Sequence, residues 1–194
     1  MSVGSGSGLA GDDWRKRTLL GTLECTDTDC NNSLHAFRLA RTPKGRSYRN
    51  ETCIECDFDG IDWNRLDRRN IHDVEYTISA LNYEMIRNYY WGNTIEPLVT
   101  ESAVVAGLDE LRRRARKRLE KVIGPPIQKT YHGGYTPWGG NIMNYAQHGT
   151  ATCCRRCLEE WHGVHRDTKL SGNHLEYFTE LVLEYVGRRL PSVA

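Results

Sequence analysis

The chain is organised around one segment rich in metal-binding side chains, His148-Gly149-Thr150-Ala151-Thr152-Cys153-Cys154-Arg155-Arg156-Cys157-Leu158-Glu159-Glu160-Trp161-His162. Three of the seven cysteines and two of the seven histidines lie within these fifteen residues. Thiolates and imidazoles are the ligands that hold zinc and similar divalent ions in proteins. The pattern therefore predicts a metal site. Its preferred ligands are His148, Cys154, Cys157 and His162, with Cys153 as the substitute and His165 as a further candidate.

A second group of cysteines lies far upstream, with the spacing Cys25-x4-Cys30 followed by Cys53-x2-Cys56. Two short pairs separated by 22 residues are typical of a structural zinc site, in which four ligands close a tetrahedron around the ion. The spacing predicts a zinc ribbon or treble-clef-like module whose ligands are Cys25, Cys30, Cys53 and Cys56. His35 is an alternative ligand that would replace one of the four cysteines.

Size, composition and charge restrict the class of protein. The chain has 194 residues, of which 39% are apolar, and a formal net charge of +1 at pH 7. No apolar run approaches the length of about 20 residues that a bilayer crossing needs, so no membrane association is expected. The Gly/Ser-rich N-terminus has neither the basic nor the apolar region of a secretory signal, which favours a cytoplasmic location. Structural disulfides are rare in that reducing compartment, so the cysteines indicate metal binding.

The apolar periodicity predicts an α+β protein, with a small zinc module packed on a mainly helical domain. A flexible tail is expected over residues 1–13, the four-cysteine module over 14–66 and the helical domain over 67–194. Four helices are predicted, from Val74 to Tyr90, Glu101 to Ile123, Cys153 to His162, and Leu175 to Arg189. Thr152 is the expected N-cap of the third helix, and Ser171 or Asn173 that of the fourth. The glycines and aromatic residues of 127–147 predict a long loop.

The segment from Tyr145 to Val164 resembles the core of a bacterial and phage family of unknown function. That core has the approximate sequence YAQHATATCCRxCLxxWHGI and is followed by a helix similar to residues 175–190 of this chain. Longer members also carry a cysteine module, so the resemblance covers about residues 20–191, and it implies no established activity. Two departures are Gly149, where the family has Ala, and residues 164–167, which replace a segment with proline and a basic pair. The second departure argues against a phosphate-binding role for that turn.

Two features indicate contact with nucleic acid. The predicted helix from Glu101 to Ile123 carries a dense basic stretch from Arg112 to Lys121, although acidic neighbours such as Glu110 partly offset it. Basic side chains on one helix attract phosphates, and aromatic rings of the long loop can stack on bases. We therefore predict an intracellular zinc-binding protein that contacts DNA or RNA. The residues predicted to make the contact are Arg112, Arg113, Arg116, Lys117, Arg155, Arg156, Tyr135 and Trp138.

Two other classes of function stay open at this stage. A metal-dependent hydrolase or nuclease would use the region from His148 through Cys157 to His162, with water at an open metal position. Its candidate catalytic residues are His148, Glu159 and Glu160. The third class is a zinc-stabilised protein-interaction module, with a protein partner or a homo-oligomer. Two zinc sites are expected, and iron is the alternative metal for the second one.

Overall fold

In the computed structural model, residues 23–41, 47–126 and 136–193 are described. These ranges form seven α-helices and a two-stranded sheet, which confirms the predicted α+β class. The strands are β1 (Leu39–Arg41) and β2 (Ser47–Arg49). The helices are α1 (Trp63–Asp67), α2 (Val74–Leu81), α3 (Met85–Gly92), α4 (Pro97–Val122), α5 (Ile142–Gly149), α6 (Arg155–His162) and α7 (Gly172–Arg189), and 3-10 helices span Cys30–Asn32, Ile71–Asp73 and Pro191–Val193.

The N-terminal module contains little regular structure, and backbone hydrogen bonds connect it to the helices. β1 and β2 pair in antiparallel fashion, with Ala40 opposite Tyr48. The His35 N–H donates to the carbonyl of Tyr83 at 2.6 Å, and the His35 carbonyl accepts from the Met85 N–H at 3.1 Å. The backbone of this alternative metal ligand is therefore fixed against the turn between α2 and α3.

The helix predicted from Val74 to Tyr90 is two helices, because α2 ends at Leu81 and α3 begins at Met85. The break turns Glu84 inward. Its carboxylate accepts hydrogen bonds from Arg87 Nε at 2.7 Å and from Trp161 Nε1 at 2.8 Å. The apolar spacing continues across the break, so periodicity alone does not detect it.

α4 begins earlier than predicted and is bent. Its first residue is Pro97, at a position where proline is favoured because the backbone N–H has no partner inside the helix. Gly107 lies within α4 at φ 72° and ψ 165°, a conformation that residues with a side chain rarely adopt. Beyond this kink the buried side chains are Leu111, Ala115 and Leu119. Neither α4 nor any other described helix combines the length and apolar character needed to cross a membrane.

Part of the loop predicted over residues 127–147 is helical. α5 begins at Ile142, and the Asn141 side chain caps it by accepting a hydrogen bond from the Asn144 N–H. Residues 127–135 lie outside the described part of the chain. The loop prediction is wrong for its last residues, because the abundant glycines and aromatic residues hid a short capped helix.

The two C-terminal helices begin near their predicted positions. α6 begins at Arg155 and has Cys154 as its N-cap residue, where the prediction was a start at Cys153 with Thr152 as the cap. α7 begins at Gly172, and Ser171 accepts a hydrogen bond from the His174 N–H. This cap agrees with one of the two predicted alternatives and extends the helix by one turn.

Two apolar cores hold the described residues together. The larger core lies among α2 to α7. The smaller core lies between the module and the helices and contains Phe37, Trp63 and Trp161, whose ring centroids are 5.3 to 5.5 Å apart. Aromatic pairs at this spacing add packing energy beyond the area that they bury. The smaller core joins residues on both sides of the predicted boundary at residue 66, and that boundary stays a prediction.

Candidate metal centres and a basic groove

The first candidate metal centre consists of Cys30, His35, Cys53 and Cys56, whose ligand atoms all lie within 4.8 Å of one another. The Sγ atoms of Cys30 and Cys53 are 3.8 Å apart, and His35 Nδ1 is 3.4 Å from Cys56 Sγ. A tetrahedron with Zn–S bonds of about 2.3 Å has edges of about 3.8 Å. The four groups can therefore hold a tetrahedral metal ion.

Backbone N–H groups favour the ionised form of one ligand in this centre. A turn over Cys53 to Asp57 is closed by a hydrogen bond from the Asp57 N–H to the Cys53 carbonyl at 3.2 Å. Although burial opposes ionisation, the N–H groups of Ala36, Glu55 and Cys56 hold the pKa of Cys53 below its usual value. The thiolate is the form of cysteine that binds metals. The turn therefore prepares Cys53 for coordination.

Cys25, a predicted ligand of the first centre, is not part of the group, and His35 takes the fourth position. Cys25 lies in a separate turn, closed by a hydrogen bond from the Asp27 N–H to the Glu24 carbonyl at 3.1 Å. The His35 ring stacks on Phe58 with centroids 4.1 Å apart. The group therefore matches the predicted alternative in which His35 replaces one cysteine.

The second candidate metal centre consists of Cys153, Cys154 and Cys157. Cys157 Sγ is 3.4 Å from Cys153 Sγ and 3.5 Å from Cys154 Sγ. Cys154 immediately precedes α6 and Cys157 lies in its first turn, where helix N–H groups stabilise negative charge. Contact with the Cys153 thiol and burial raise the pKa of Cys154 to about 12. Sulfurs this close ionise together only around a cation, so the group can hold a metal ion.

A buried arginine lies against the second centre. The Arg87 guanidinium donates to Glu84 Oε2 at 2.7 Å, to the His148 carbonyl at 2.7 Å and to Cys157 Sγ at 3.2 Å. Donors to a metal-binding sulfur orient it and offset part of its charge. Arg87 was not predicted as a site residue, because a single arginine in an amphipathic helix resembles a surface residue.

His148, a preferred ligand of the second centre, is not grouped with the three sulfurs. Its ring lies between those of Tyr90 and Trp138, with centroid distances of 4.8 and 4.6 Å. Its Nε2 is 3.2 Å from the Thr136 carbonyl. The predicted position of His148 on a strand or turn was wrong, because helix α5 turns the imidazole towards aromatic rings and a backbone carbonyl.

His162, the other predicted histidine ligand, lies in an apolar environment and is not grouped with the sulfurs. Its Nε2 is 3.0 Å from the Thr150 carbonyl, and its Nδ1 has no hydrogen-bond partner among the described residues. The Phe178 ring packs edge-on with a centroid distance of 5.0 Å. Burial lowers the pKa of His162 to about 3, so the imidazole is neutral at physiological pH.

We expect acid to destabilise the protein through His162. The unfolded chain binds a proton at this residue near pH 6.5, whereas the folded chain resists protonation down to about pH 3. The stabilising contribution of the neutral His162 is fully present above the pKa that this residue has in the unfolded chain. It decreases by about 2 kcal/mol between pH 7 and pH 5. Urea unfolding of the parent chain and of His162→Gln at both pH values measures the difference. The variant should lose less stability on acidification, and an identical pH dependence would contradict the assignment.

The carboxylates predicted as catalytic candidates make ion pairs within the fold. Glu159 contacts Arg166 at 2.9 Å, and Glu160 contacts Arg156 at 2.7 Å. Both carboxylates are buried, as is the third candidate, His148. None of these three residues lines the groove between α4 and the start of α5. The further ligand candidate, His165, is exposed and lies 3.5 Å from Glu159.

A groove of about 750 Å³ lies between α4 and the start of α5. Its basic lining residues are Arg113, Arg114, Lys117, Arg118 and Lys121. Its apolar lining includes Val99, Leu111, Ile142 and Met143, and Glu96 is the one acidic residue among the described residues that line it. A concave, positive site with apolar walls suits an anion that also carries a flat apolar group.

Arg118 differs from the other basic residues of the groove in its partners. Its Nε donates to Gln147 Oε1 at 2.5 Å, and its Nη2 donates to Asn144 Oδ1 at 2.6 Å. Burial lowers the pKa of Arg118, and both of these acceptors are neutral amides. Arg113 and Arg114, in contrast, share the Glu110 carboxylate. The amides orient Arg118 without cancelling its positive charge.

Two of the four predicted nucleic-acid residues on α4 lie outside the groove. Arg112 pairs with Glu180 of α7, whereas Arg116 is exposed on another face of the helix. Arg113 and Lys117 line the groove. Residues four apart lie on the same side of a helix, so only part of the basic stretch lines this groove.

The predicted nucleic-acid residues beyond α4 have structural contacts or lie outside the described residues. Arg155 is fully buried and donates to the carbonyls of Ile123, His165, Arg166 and Thr168, a position that phosphates do not reach. Arg156 pairs with Glu160, and the Trp138 ring stacks on His148. Tyr135 lies outside the described part of the chain.

A comparison with protein families agrees with the resemblance found in the cysteine-rich core. A family model described as "Domain of unknown function (DUF4186)" matches residues 75–187, which is more than half of the chain. The expected resemblance to a family of unknown function is therefore confirmed. The matched range contains the second candidate centre and the groove, whereas the first centre precedes it. No solved structure matches the chain.

Proposed function

For this chain, which belongs to the DUF4186 family, we propose the function of a zinc-binding protein that binds single-stranded nucleic acid in the groove between α4 and α5. The observation that carries the proposal is the gathering of five basic side chains around one concave, partly apolar site. The description of the family names no activity, so the proposal rests on the residues of this chain.

The basic row on α4 has the spacing that a nucleic-acid strand requires. Arg113, Lys117 and Lys121 follow one another at intervals of four residues, which places them about 6 Å apart along the helix. This distance is comparable to that between successive phosphates of an extended strand. The Arg113–Glu110 ion pair is exposed, and exposed ion pairs contribute little to stability, so a phosphate can replace the carboxylate at little cost.

The apolar wall supports a preference for a single strand. Base faces are covered by stacking inside a duplex, whereas an unpaired base can leave the stack and place its face against an apolar groove. Leu98, which is 77% exposed, provides the accessible part of that wall, and the mostly buried Ile142 and Met143 and the Arg118 guanidinium line the same groove. Phosphates on the basic rim and a base against the wall would use both halves of the site.

Zinc is the metal that the donor set of the first centre favours. Three thiolates and one imidazole form a Cys3His site, which zinc occupies with tetrahedral geometry. Because four protein ligands leave no open position, the ion would stabilise the module and would not activate water. The zinc function proposed here is therefore structural.

Reversal of one groove charge tests the nucleic-acid proposal. We expect Lys117→Glu to weaken the binding of a labelled single strand about tenfold or more and to lower the salt dependence by about one counterion. Fluorescence anisotropy with single-stranded and duplex DNA and RNA, at several salt concentrations, measures both quantities. Arg116→Glu is the matched control, because it makes the same change of charge at the neighbouring residue, which lies outside the groove.

The control variant should bind within about twofold of the parent chain, since long-range charge effects are screened at physiological salt. Equal losses for Lys117→Glu and Arg116→Glu would indicate a diffuse charge effect and contradict the groove. Absence of binding by the parent chain at low salt would overturn the function. Tighter binding of a duplex would keep the nucleic-acid function but exclude the single-strand preference.

A further inference from the structure

The second metal centre has three sulfur ligands, whereas a closed tetrahedral site needs four. The histidines that the sequence offered for the fourth position have other contacts: His148 lies between two aromatic rings, and His162 faces the Thr150 carbonyl. Six of the seven cysteines are already assigned to the two centres. The seventh, Cys25, is the remaining soft ligand.

Cys25 is presented by a short turn that its neighbours close. The Glu24 N–H donates to Asp27 Oδ2 at 2.7 Å, and the Asp27 N–H donates back to the Glu24 carbonyl at 3.1 Å. Turns of this kind present metal-binding cysteines in zinc modules. The Cys25 side chain packs against the larger core, so its thiol faces the helices.

One buried guanidinium connects Cys25 with the second centre. Arg87 donates to Cys157 Sγ at 3.2 Å and lies 3.9 Å from Cys153 Sγ. Burial raises the pKa of the Cys25 thiol, and Arg87 is the first of the charged groups that act on it. The positive charge of Arg87 therefore acts on thiols that come from two distant parts of the sequence.

We propose that Cys25 is the fourth ligand of the second centre, and that Cys25, Cys153, Cys154 and Cys157 together bind one zinc ion. The thiols release their protons to solvent as the four Zn–S bonds form, which leaves a tetrathiolate site with a charge of about −2. Arg87 offsets part of this charge through its N–H groups. The Cys25 sulfur is outside the 4.8 Å group, so binding has to draw the Glu24–Asp27 turn inward.

The proposal divides the upstream cysteine pair between two ions. Cys30 binds the first ion with His35, Cys53 and Cys56, while Cys25 binds the second. The four residues between Cys25 and Cys30 then connect both metal centres directly. This inference goes beyond the proposed nucleic-acid function and does not depend on it.

Metal analysis of the full-length chain tests the proposal. The parent chain should contain two zinc ions, and Cys25→Ser should lose one of them, or release it to a chelator at least tenfold faster. Cys56→Ser is the matched control, because it changes a ligand of the first centre. In Cys56→Ser, the ion that remains should keep the release rate of the tetrathiolate site.

Cobalt substitution gives a readout that a purely structural role of Cys25 would not change. Cys25→His should still bind two cobalt ions, because imidazole is also a ligand, but should lose about one seventh of the sulfur-to-cobalt absorption, since one of seven sulfurs is removed. This variant also decides the question if Cys25→Ser does not fold. One metal per parent chain, or unchanged cobalt absorption in Cys25→His, would overturn the proposal.

Discussion

Replacement of Arg87 by methionine is expected to reduce the free energy of unfolding by about 3–5 kcal/mol, because it leaves the Glu84 carboxylate buried without its cation. The side chains of Arg87 and Glu84 are 0% and 1% exposed, so solvent cannot replace the lost partner. Methionine fills a similar space but donates no hydrogen bond to the His148 carbonyl or to Cys157. Urea unfolding, with the slope checked for a two-state transition, measures the loss.

The pH dependence of the Arg87 variant provides an internal check. Burial raises the pKa of Glu84 to about 7 even beside Arg87, and loss of the positive charge should raise it further. A protonated Glu84 is easier to bury, so the deficit should be smaller at pH 5.5 than at pH 8. Arg113→Met, which breaks an exposed ion pair, should change stability by only a small fraction of the Arg87→Met loss. A similarly small effect of Arg87→Met would contradict the importance of the buried pair.

Loss of the metal from the first centre is expected to unfold the N-terminal module. Structural zinc contributes apparent binding free energies of about 10–16 kcal/mol in zinc-finger peptides. The regular structure among the described residues of 29–58 is two three-residue strands and one 3-10 helix, which is too little to replace that contribution. Cys53→Ser should therefore remove hydrogen-exchange protection from residues 29–58. Protection of α7 should be largely retained, because that helix belongs to the larger core. Thr52→Ser, at the residue just before the turn that begins at Cys53, is the control.

A pair of substitutions at His35 separates ligation from packing in the same module. His35→Cys should keep the metal, since a four-cysteine site is equally suited to zinc, whereas His35→Ala should lose it. Both variants remove the ring that stacks on Phe58, so the loss of stacking is common to them. Equal metal content in the two variants would exclude His35 as a ligand.

The parts of the fold that are set by local patterns could be predicted from the sequence. The apolar periodicity and the Ser171 cap determine α7, and the spacing of Cys53 and Cys56 indicates a metal-binding turn. Likewise, the close spacing of Cys154 and Cys157 at the start of a helix indicated a cluster of thiols there. These features depend on neighbouring residues, which a sequence displays directly.

The assignment of ligands to centres depends on long-range contacts and could not be predicted. His35 reaches the first centre because its backbone pairs with Tyr83 and Met85. These two residues lie at the break between α2 and α3, which the apolar periodicity does not show. For the same reason the burial of Arg87 against Cys157 was missed. Two distant segments have to pack before either contact exists.

The buried position of Arg155 has a consequence for cooperativity. Arg155 follows Cys154 directly, and its guanidinium donates to the Ile123 carbonyl at the end of α4 and to the Thr168 carbonyl beyond α6. The Arg155 side chain thus binds the end of α4, which lines the groove, while Arg155 itself is the first residue of α6, which carries Cys157. The two regions are therefore parts of a single cooperative unit, in which local opening at the start of α6 also removes support from the end of α4.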